Sequence, residues 1–210
     1  MKNEGIITGI MDYKNTSKIY LASKSPRRRE LLAMMGIKFD LLEIDIPEEV
    51  NEDEGFRDYS TRICNEKAEA AWQHILENNL LQMPVLTADT EVVFNNIVFG
   101  KPVDYDDAFR MWRTLAGNHH LVITTITLKY KDFHKTVSSE SLVYFDEMTD
   151  KDIHAYLATG DYKDKSGAYG IHTFAGQFIQ RIDGCFYSIM GLPLNAVRHL
   201  FADLGKYEAV

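Results

Sequence analysis

Hydrophobic positions along this chain fall into two rhythms, short apolar runs and stripes at helical spacing. Residues 19–23 are an apolar run and predict a strand. Ser25-Pro26 then predicts a helix start, with serine at the N-cap and proline at the first helical position. Leu31, Leu32 and Met35 carry the helical spacing, and Gly36 stops it. Residues 39–44 predict a second strand, and residues 45–58 lack periodicity and read as a loop. Residues 59–80 predict a long helix with Tyr59, Ile63, Ala70, Ala71 and Ile75 on its apolar stripe.

Residues 85–88 predict a short strand ending at Asp89-Thr90. Residues 91–94 and 97–99 flank Asn95-Asn96, which predicts a hairpin. Asp104 with Asp107 resembles a capping box for a helix through Leu115, closed by Gly117. Residues 121–130 and 135–145 are β-rich. Thr149 with Asp152 caps a further helix to Thr159, closed by Gly160, and residues 161–170 read as a loop. Residues 177–182 and 185–190 flank Asp183-Gly184 and predict a second hairpin. Residues 194–204 predict a terminal helix after Pro193. Hairpins coexist with strand–helix alternation, so the class is α/β or α+β with a mixed sheet. No repeat, linker or composition shift divides the chain.

Composition narrows the function classes. The 210 residues carry 23 Lys and Arg against 31 Asp and Glu, for a net charge of −8, and 45% are apolar. That excludes a disordered chain and fits one large domain or two close lobes. Cys64 and Cys185 are too few for a disulfide framework and suit a reducing cytosol. No uncharged apolar run is long enough to span a membrane. Residues 1–10, with Glu4 early and no small-residue cleavage site, do not read as a signal peptide. The acidic balance argues against nonspecific nucleic-acid binding. The charge is uneven, however. Residues 18–29 hold five bases and no acid, whereas residues 40–58 hold nine acids and one base. That order suggests an anion site beside a cation site, or simply two solvated faces.

Five places can carry chemistry. Arg27 and Arg28 sit in the first turn of a helix, where the dipole disfavours cations unless an anion lies between them and the backbone N–H groups. The hydroxyls of Ser23 and Ser25 add donors there. Lys67 shares a helix face with Ile63 and Ala71, so it either snorkels to solvent or reaches a cleft. Asp89, at the end of an apolar strand, is placed to bind a metal or activate water. Lys101 lies in a stiff Gly-Lys-Pro turn, and residues 164–170 form a loop whose glycines permit close approach. Together these suit phosphate-ester chemistry, which needs cations on a polyphosphate and carboxylates for a metal and a water. There is no P-loop, no G-x-S-x-G elbow and no zinc spacing among the seven histidines.

Leu21-Ala22-Ser23-Lys24-Ser25-Pro26-Arg27-Arg28-Arg29-Glu30-Leu31-Leu32 resembles the opening signature of the Maf family of nucleotide pyrophosphatases. The similarity continues in order through residues 45–48, Asn65-Glu66-Lys67-Ala68, Ala88-Asp89-Thr90, Gly100-Lys101-Pro102, Leu115-Ala116-Gly117, residues 164–170 and Gly191-Leu192-Pro193-Leu194. The resemblance implies a curled mixed sheet flanked by helices, in two lobes with a cleft between them, like the ITPase fold. It implies metal-dependent hydrolysis of a nucleoside triphosphate to monophosphate and diphosphate, with Mg²⁺ or Mn²⁺ as cofactor.

By the same resemblance Asp89 is the proton acceptor and Glu48 a second essential carboxylate, the two acting as metal ligands. Lys67, Lys101 and Arg28 contact phosphate, and Arg27 and Thr90 bear on substrate choice. The loop at 164–170 is similar to that of the subfamily acting on dTTP and UTP. His172 stands where that subfamily usually has Gln, Ser188 where Asn is common and Cys185 where Ser is. The rival readings are a 7-methyl-GTP pyrophosphatase and a non-catalytic nucleotide-binding regulator of septum formation. Residues 1–17 are expected to be an N-terminal extension, with Met11 an internal start, and residues 18–210 a single domain. A cytoplasmic homodimer is expected, with neither a nucleic-acid nor a membrane partner.

Overall fold

The computed structural model describes residues 18–208, so the expected extension at 1–17 lies outside the described residues. The elements run β1 (Ile19–Ala22), α1 (Pro26–Met34), β2 (Phe39–Leu41), α2 (Phe56–Glu77), β3 (Val85–Phe94), β4 (Ile97–Phe99) and α3 (Tyr105–Leu115). They continue β5 (His119–Tyr130), β6 (Phe133–Phe145), α4 (Asp150–Leu157), β7 (Ile179–Asp183), α5 (Phe186–Ile189) and α6 (Leu194–Glu208). The strands form one mixed sheet in the order β2-β1-β3-β5-β6-β7, with β4 paired to β3 off that path. β1 is buried along its length because it runs parallel between β2 and β3.

One topological detail makes the cleft. β1 accompanies β3 only as far as Ala22 opposite Thr87, and β4 joins it only from Val92 opposite Phe99. β5 fills the other side of β3 from Val85 to Val93. Between Thr87 and Val92 one edge of β3 therefore has no strand beside it.

Apolar side chains gather in three cores. One surrounds Trp112, Tyr156 and Phe145, between α3, α4 and the ends of β5 and β6. A second packs α1 and α6 on β1 and β3, and a third lies under α2 around Trp72 and Ile75. The first core makes one lobe and the other two make the second. Among the described residues no helix is long and apolar enough to cross a membrane.

The Asn95-Asn96 hairpin forms as expected, both residues taking positive φ (50° and 64°) as a primed turn requires. Other expectations need correction. The strand at 85–88 does not end at Asp89. β3 runs unbroken to Phe94, because β5 pairs with it throughout and Lys67 on α2 meets the acid it presents. Residues 185–190 are not a hairpin strand. The Cys185 N–H donates to Ser141 Oγ (2.9 Å), and the chain coils into the one-turn helix α5 with Met190 N–H bonded to the Phe186 carbonyl.

β2 stops at Leu41 rather than Ile44, since β1 beside it ends at Ala22. Helix α2 begins at Phe56, shortening the acidic loop by three residues. The box at α3 is half formed. Asp104 accepts from Asp107 N–H (2.7 Å), but the Asp107 carboxylate accepts from Val103 N–H. At α4 both halves of the Thr149–Asp152 box are present.

Candidate active site

The turn from β1 into α1 brings Ser23, Ser25, Arg27 and Arg28 to the open edge of β3. Ser25 occupies the N-cap position, but its hydroxyl makes no capping bond, so first-turn N–H groups stay available. Arg28 is held at three points. Its Nε donates to the Gly191 carbonyl (2.9 Å), Nη1 to Ser23 Oγ (3.3 Å) and Nη2 to Thr90 Oγ1 (3.0 Å). Gly191 lies at φ 111°, a conformation that side chains rarely adopt, so glycine is what lets its carbonyl turn to Arg28. Thr90 is itself fixed by Thr124, whose hydroxyl donates to the Ser188 carbonyl (2.8 Å). Lys24, by contrast, is neutralised by Asp45 at 2.7 Å and Lys18 by Asp40 at 2.7 Å, so the basic and acidic stretches partly pair with each other.

Strand alternation sends Asp89 and Glu91 to the opposite face from Thr90, under α2. There Lys67 reaches the cleft instead of snorkelling. Its ammonium lies 2.6 Å from Asp89 Oδ1 and 2.7 Å from Glu48 Oε1, with the lysine and aspartate side chains 14% and 7% exposed. Asp89 Oδ2 is buried, and no N–H or hydroxyl group donates to it. Burial pulls the Lys67 ammonium down, but the charges and hydrogen bonds of Asp89 and Glu48 outweigh it, and Lys67 ends above its ordinary value.

Glu91 is a member the sequence reading missed. Burial, followed by the charge and hydrogen bond of Asp89 and the charge of Glu48, pushes its carboxyl up to about 9 against the pull of Lys67. The Asp89–Glu91 pair therefore holds a proton at pH 7. Its signal was the spacing of two from Asp89, which places both on one strand face once β3 is read as continuous. Burial lowers Arg28, with Asp89 opposing most, and lowers Arg27, helped by Arg28. Guanidinium groups stay charged through such shifts.

The far wall comes from the other lobe. Gly167 (φ 66°) presses against β3, where a Cβ would meet Val92 Cγ1 at 2.9 Å. Ser166 Oγ donates to the Thr90 carbonyl (3.0 Å), and the Gly167 N–H bonds to the Gly100 carbonyl (3.1 Å) beside Lys101. His172 lies farther along. Partial burial first, then Arg27 and Lys165, hold its imidazole below the ordinary value, so it is neutral at pH 7.

All ten residues singled out from the sequence line one cavity of about 580 Å³: Ser23, Ser25, Arg27, Arg28, Glu48, Lys67, Asp89, Thr90, Lys101 and His172. Lys165, Ser166, Tyr169 and Gly191 line it as well. The donor chemistry fits a hard divalent cation, with the Glu48 and Asp89 carboxylates meeting at one ammonium and a buried Asp89 oxygen that no N–H or hydroxyl reaches. Such ions take one or two carboxylates and complete their shell with water and phosphate oxygens. Among the described residues no group of three or more His, Cys, Asp or Glu could hold a metal alone, so substrate oxygens would have to contribute.

The dTTP/UTP pyrophosphatase of Chromobacterium violaceum is 40% identical over 193 residues, covering 91% of this chain and 96% of that protein. The dTTP/UTP pyrophosphatase of Bdellovibrio bacteriovorus is 40% identical over 186 residues, covering 88% and 97%. The solved Staphylococcus aureus Ham1 protein matches over 91% of this chain and 100% of its own, at a TM-score of 0.47 and 13% identity. Residues 18–204 match the family described as Maf-like protein. This chain belongs to the Maf-like family.

Proposed function

We propose that this chain is a nucleoside triphosphate pyrophosphatase that hydrolyses dTTP and UTP to the monophosphate and diphosphate. The observation that carries the reading is the Glu48–Lys67–Asp89 ion set at the open edge of β3, in one cavity with Arg28. The names of the 40% identical relatives support the choice of substrate.

Asp89 accepts a proton from the attacking water. The water oxygen bonds to the α-phosphorus, the bond from that phosphorus to the α,β-bridging oxygen breaks, and the electron pair leaves with diphosphate. Arg28, Lys67 and Lys101 offset the charge gathering on the leaving group. The hydroxyls of Ser23 and Ser25 and the free first-turn N–H groups of α1 hold phosphate oxygens. A divalent cation, Mg²⁺ or Mn²⁺, held by Glu48 and Asp89 supplies further neutralisation of phosphate charge.

Arg27, Thr90 and His172 govern substrate choice. Neutral His172 offers one N–H donor and one bare acceptor, which suits the mixed edge of uracil or thymine. The Arg27 and Lys165 charges beside it favour base carbonyls over amino groups. Residues 18–210 act as one domain, in a cytoplasmic homodimer, with residues 1–17 as an extension. Diphosphate release from a nucleotide panel, with and without Mg²⁺, tests the reading. Release should be highest for dTTP and UTP and should depend on the metal. No release from any nucleotide would overturn it in favour of a nucleotide-binding regulator.

A further inference from the structure

Glu48 sits on a stretch, residues 42–55, that carries no helix or strand. A carboxylate on an unsupported loop would not hold one place beside Lys67, yet this loop is anchored at two successive carbonyls, those of Glu48 and Glu49. The anchors come from one face of α2, where Tyr59, Arg62 and Glu66 stand at helical spacing. The Tyr59 hydroxyl donates to the Glu48 carbonyl at 3.2 Å. Arg62 Nη2 donates to the next carbonyl, that of Glu49, at 2.8 Å.

The same guanidinium takes the Glu54 carboxylate in a two-pronged grip, Nε and Nη2 each at 2.7 Å, and leans on Glu66 at 3.2 Å. Glu54 in turn accepts the Asn51 N–H at 3.1 Å, which closes the loop on itself. The Arg62 guanidinium also lies over the Tyr59 ring, 5.6 Å from its centroid.

We propose that Arg62 is a positioning residue for Glu48: its planar fork clamps the 48–54 loop onto α2 and so sets the Glu48 carboxylate beside Lys67 and Asp89. The inference rests on the reading of Glu48 as a functional carboxylate. Arg62 itself lies outside the cavity lining, and every partner it has is a loop carbonyl, an acid or the Tyr59 ring. With the Glu48 and Glu49 carbonyls both held, the Glu48–Glu49 peptide plane, which contains the Glu48 Cα, is kept in place. Lysine, a point charge, cannot bond three acceptors in one plane.

The test uses the full chain as wild type, Arg62→Gln, Glu48→Gln and the double variant. The first readout needs no turnover: hydrogen exchange of the amides at 46–54. Arg62→Gln is expected to speed it by about tenfold or more while the amides of β3 stay protected. Should β3 also loosen, Glu54→Gln removes the same grip from the other side and replaces it.

The second readout is diphosphate release from dTTP at varied Mg²⁺. Arg62→Gln should raise the half-saturating Mg²⁺ concentration about tenfold or more, with a smaller change in kcat. In the Glu48→Gln background it should add nothing. Equal losses in both backgrounds would mean a merely structural arginine and would overturn the proposal, as would unchanged exchange at 46–54. If wild type releases diphosphate from no nucleotide, the functional reading fails, and the exchange arm still decides whether Arg62 holds the loop.

Discussion

Asp89 has one carboxylate oxygen committed to Lys67 and another buried where no N–H or hydroxyl reaches it. Asparagine at this position keeps the shape and removes the base, so Asp89→Asn should retain the melting temperature within a few degrees. Its kcat should fall about 10²- to 10⁴-fold, the usual worth of a positioned general base, read as diphosphate release beside a thermal melt. A fully active variant would remove Asp89 from the mechanism. Gly191 carries a different constraint. It combines φ 111° with a neighbour, Arg28 Nε, that a Cβ would touch at 3.4 Å. Gly191→Ala should therefore cost about 1–3 kcal/mol of backbone strain. It should also disturb Arg28, raising KM for the nucleotide by more than the stability loss explains. Steady-state kinetics beside urea unfolding separates the two effects, and an unchanged KM would show that Arg28 tolerates the shift.

Between elements, the lobes meet through the loop at 164–170, and α3 is fastened to that loop by one buried bond, Trp112 Nε1 to the Ala168 carbonyl at 2.8 Å. Trp112→Phe leaves that carbonyl unsatisfied and a smaller ring in the core, so urea unfolding should show a loss of about 1–3 kcal/mol from the bond alone. A neutral result would mean that solvent reaches the carbonyl. Local signals of this kind explain how far the sequence could be read. Ser25-Pro26, Asn95-Asn96 and the Thr149–Asp152 box each act within a few residues, and each element began or turned where those residues said. The failures depended on partners distant in sequence. The polarity of Asp89 reads as a strand end until Lys67 is brought over it from α2, and Asp183-Gly184 reads as a hairpin until Ser141 takes the next N–H. The same limit hid Glu91 and Arg62, whose meaning depends on which face each shares. The chemistry-bearing residues were legible because each lies in a short motif, and the fold brings all ten to one cavity.

At the scale of the molecule, two buried groups set opposing pH limbs. His120 bonds Tyr169 at 2.7 Å and leaves its other ring nitrogen buried and unpartnered. Burial, with a smaller push from His119, lowers its pKa from 6.5 to about 3. The unfolded chain then binds a proton near pH 6.5 that the folded chain refuses until about 3. Stability from this group is complete above 6.5 and is lost as pH falls, by about 1.4 kcal/mol per pH unit. Glu91 runs the other way. Its pKa rises from 4.5 to about 9, so the folded chain keeps a proton that the unfolded chain has released. Its stability is complete below 4.5 and is lost as pH rises toward 9, at a similar slope of about 1.4 kcal/mol per unit. The limbs offset each other between 4.5 and 6.5. In the metal-free chain, kept so with a chelator, urea midpoints should therefore decline on both sides of that window. Glu91→Gln should lift the alkaline limb and leave the acid one, because glutamine keeps the shape and sheds the ionisable proton. His120→Gln should flatten the acid limb, at some constant cost for the altered contact with Tyr169. A wild-type minus Glu91→Gln difference that stays level from pH 5 to 9 would mean that Glu91 titrates as an ordinary carboxylate. The acidic cluster around Lys67 would then be better solvated than its burial implies.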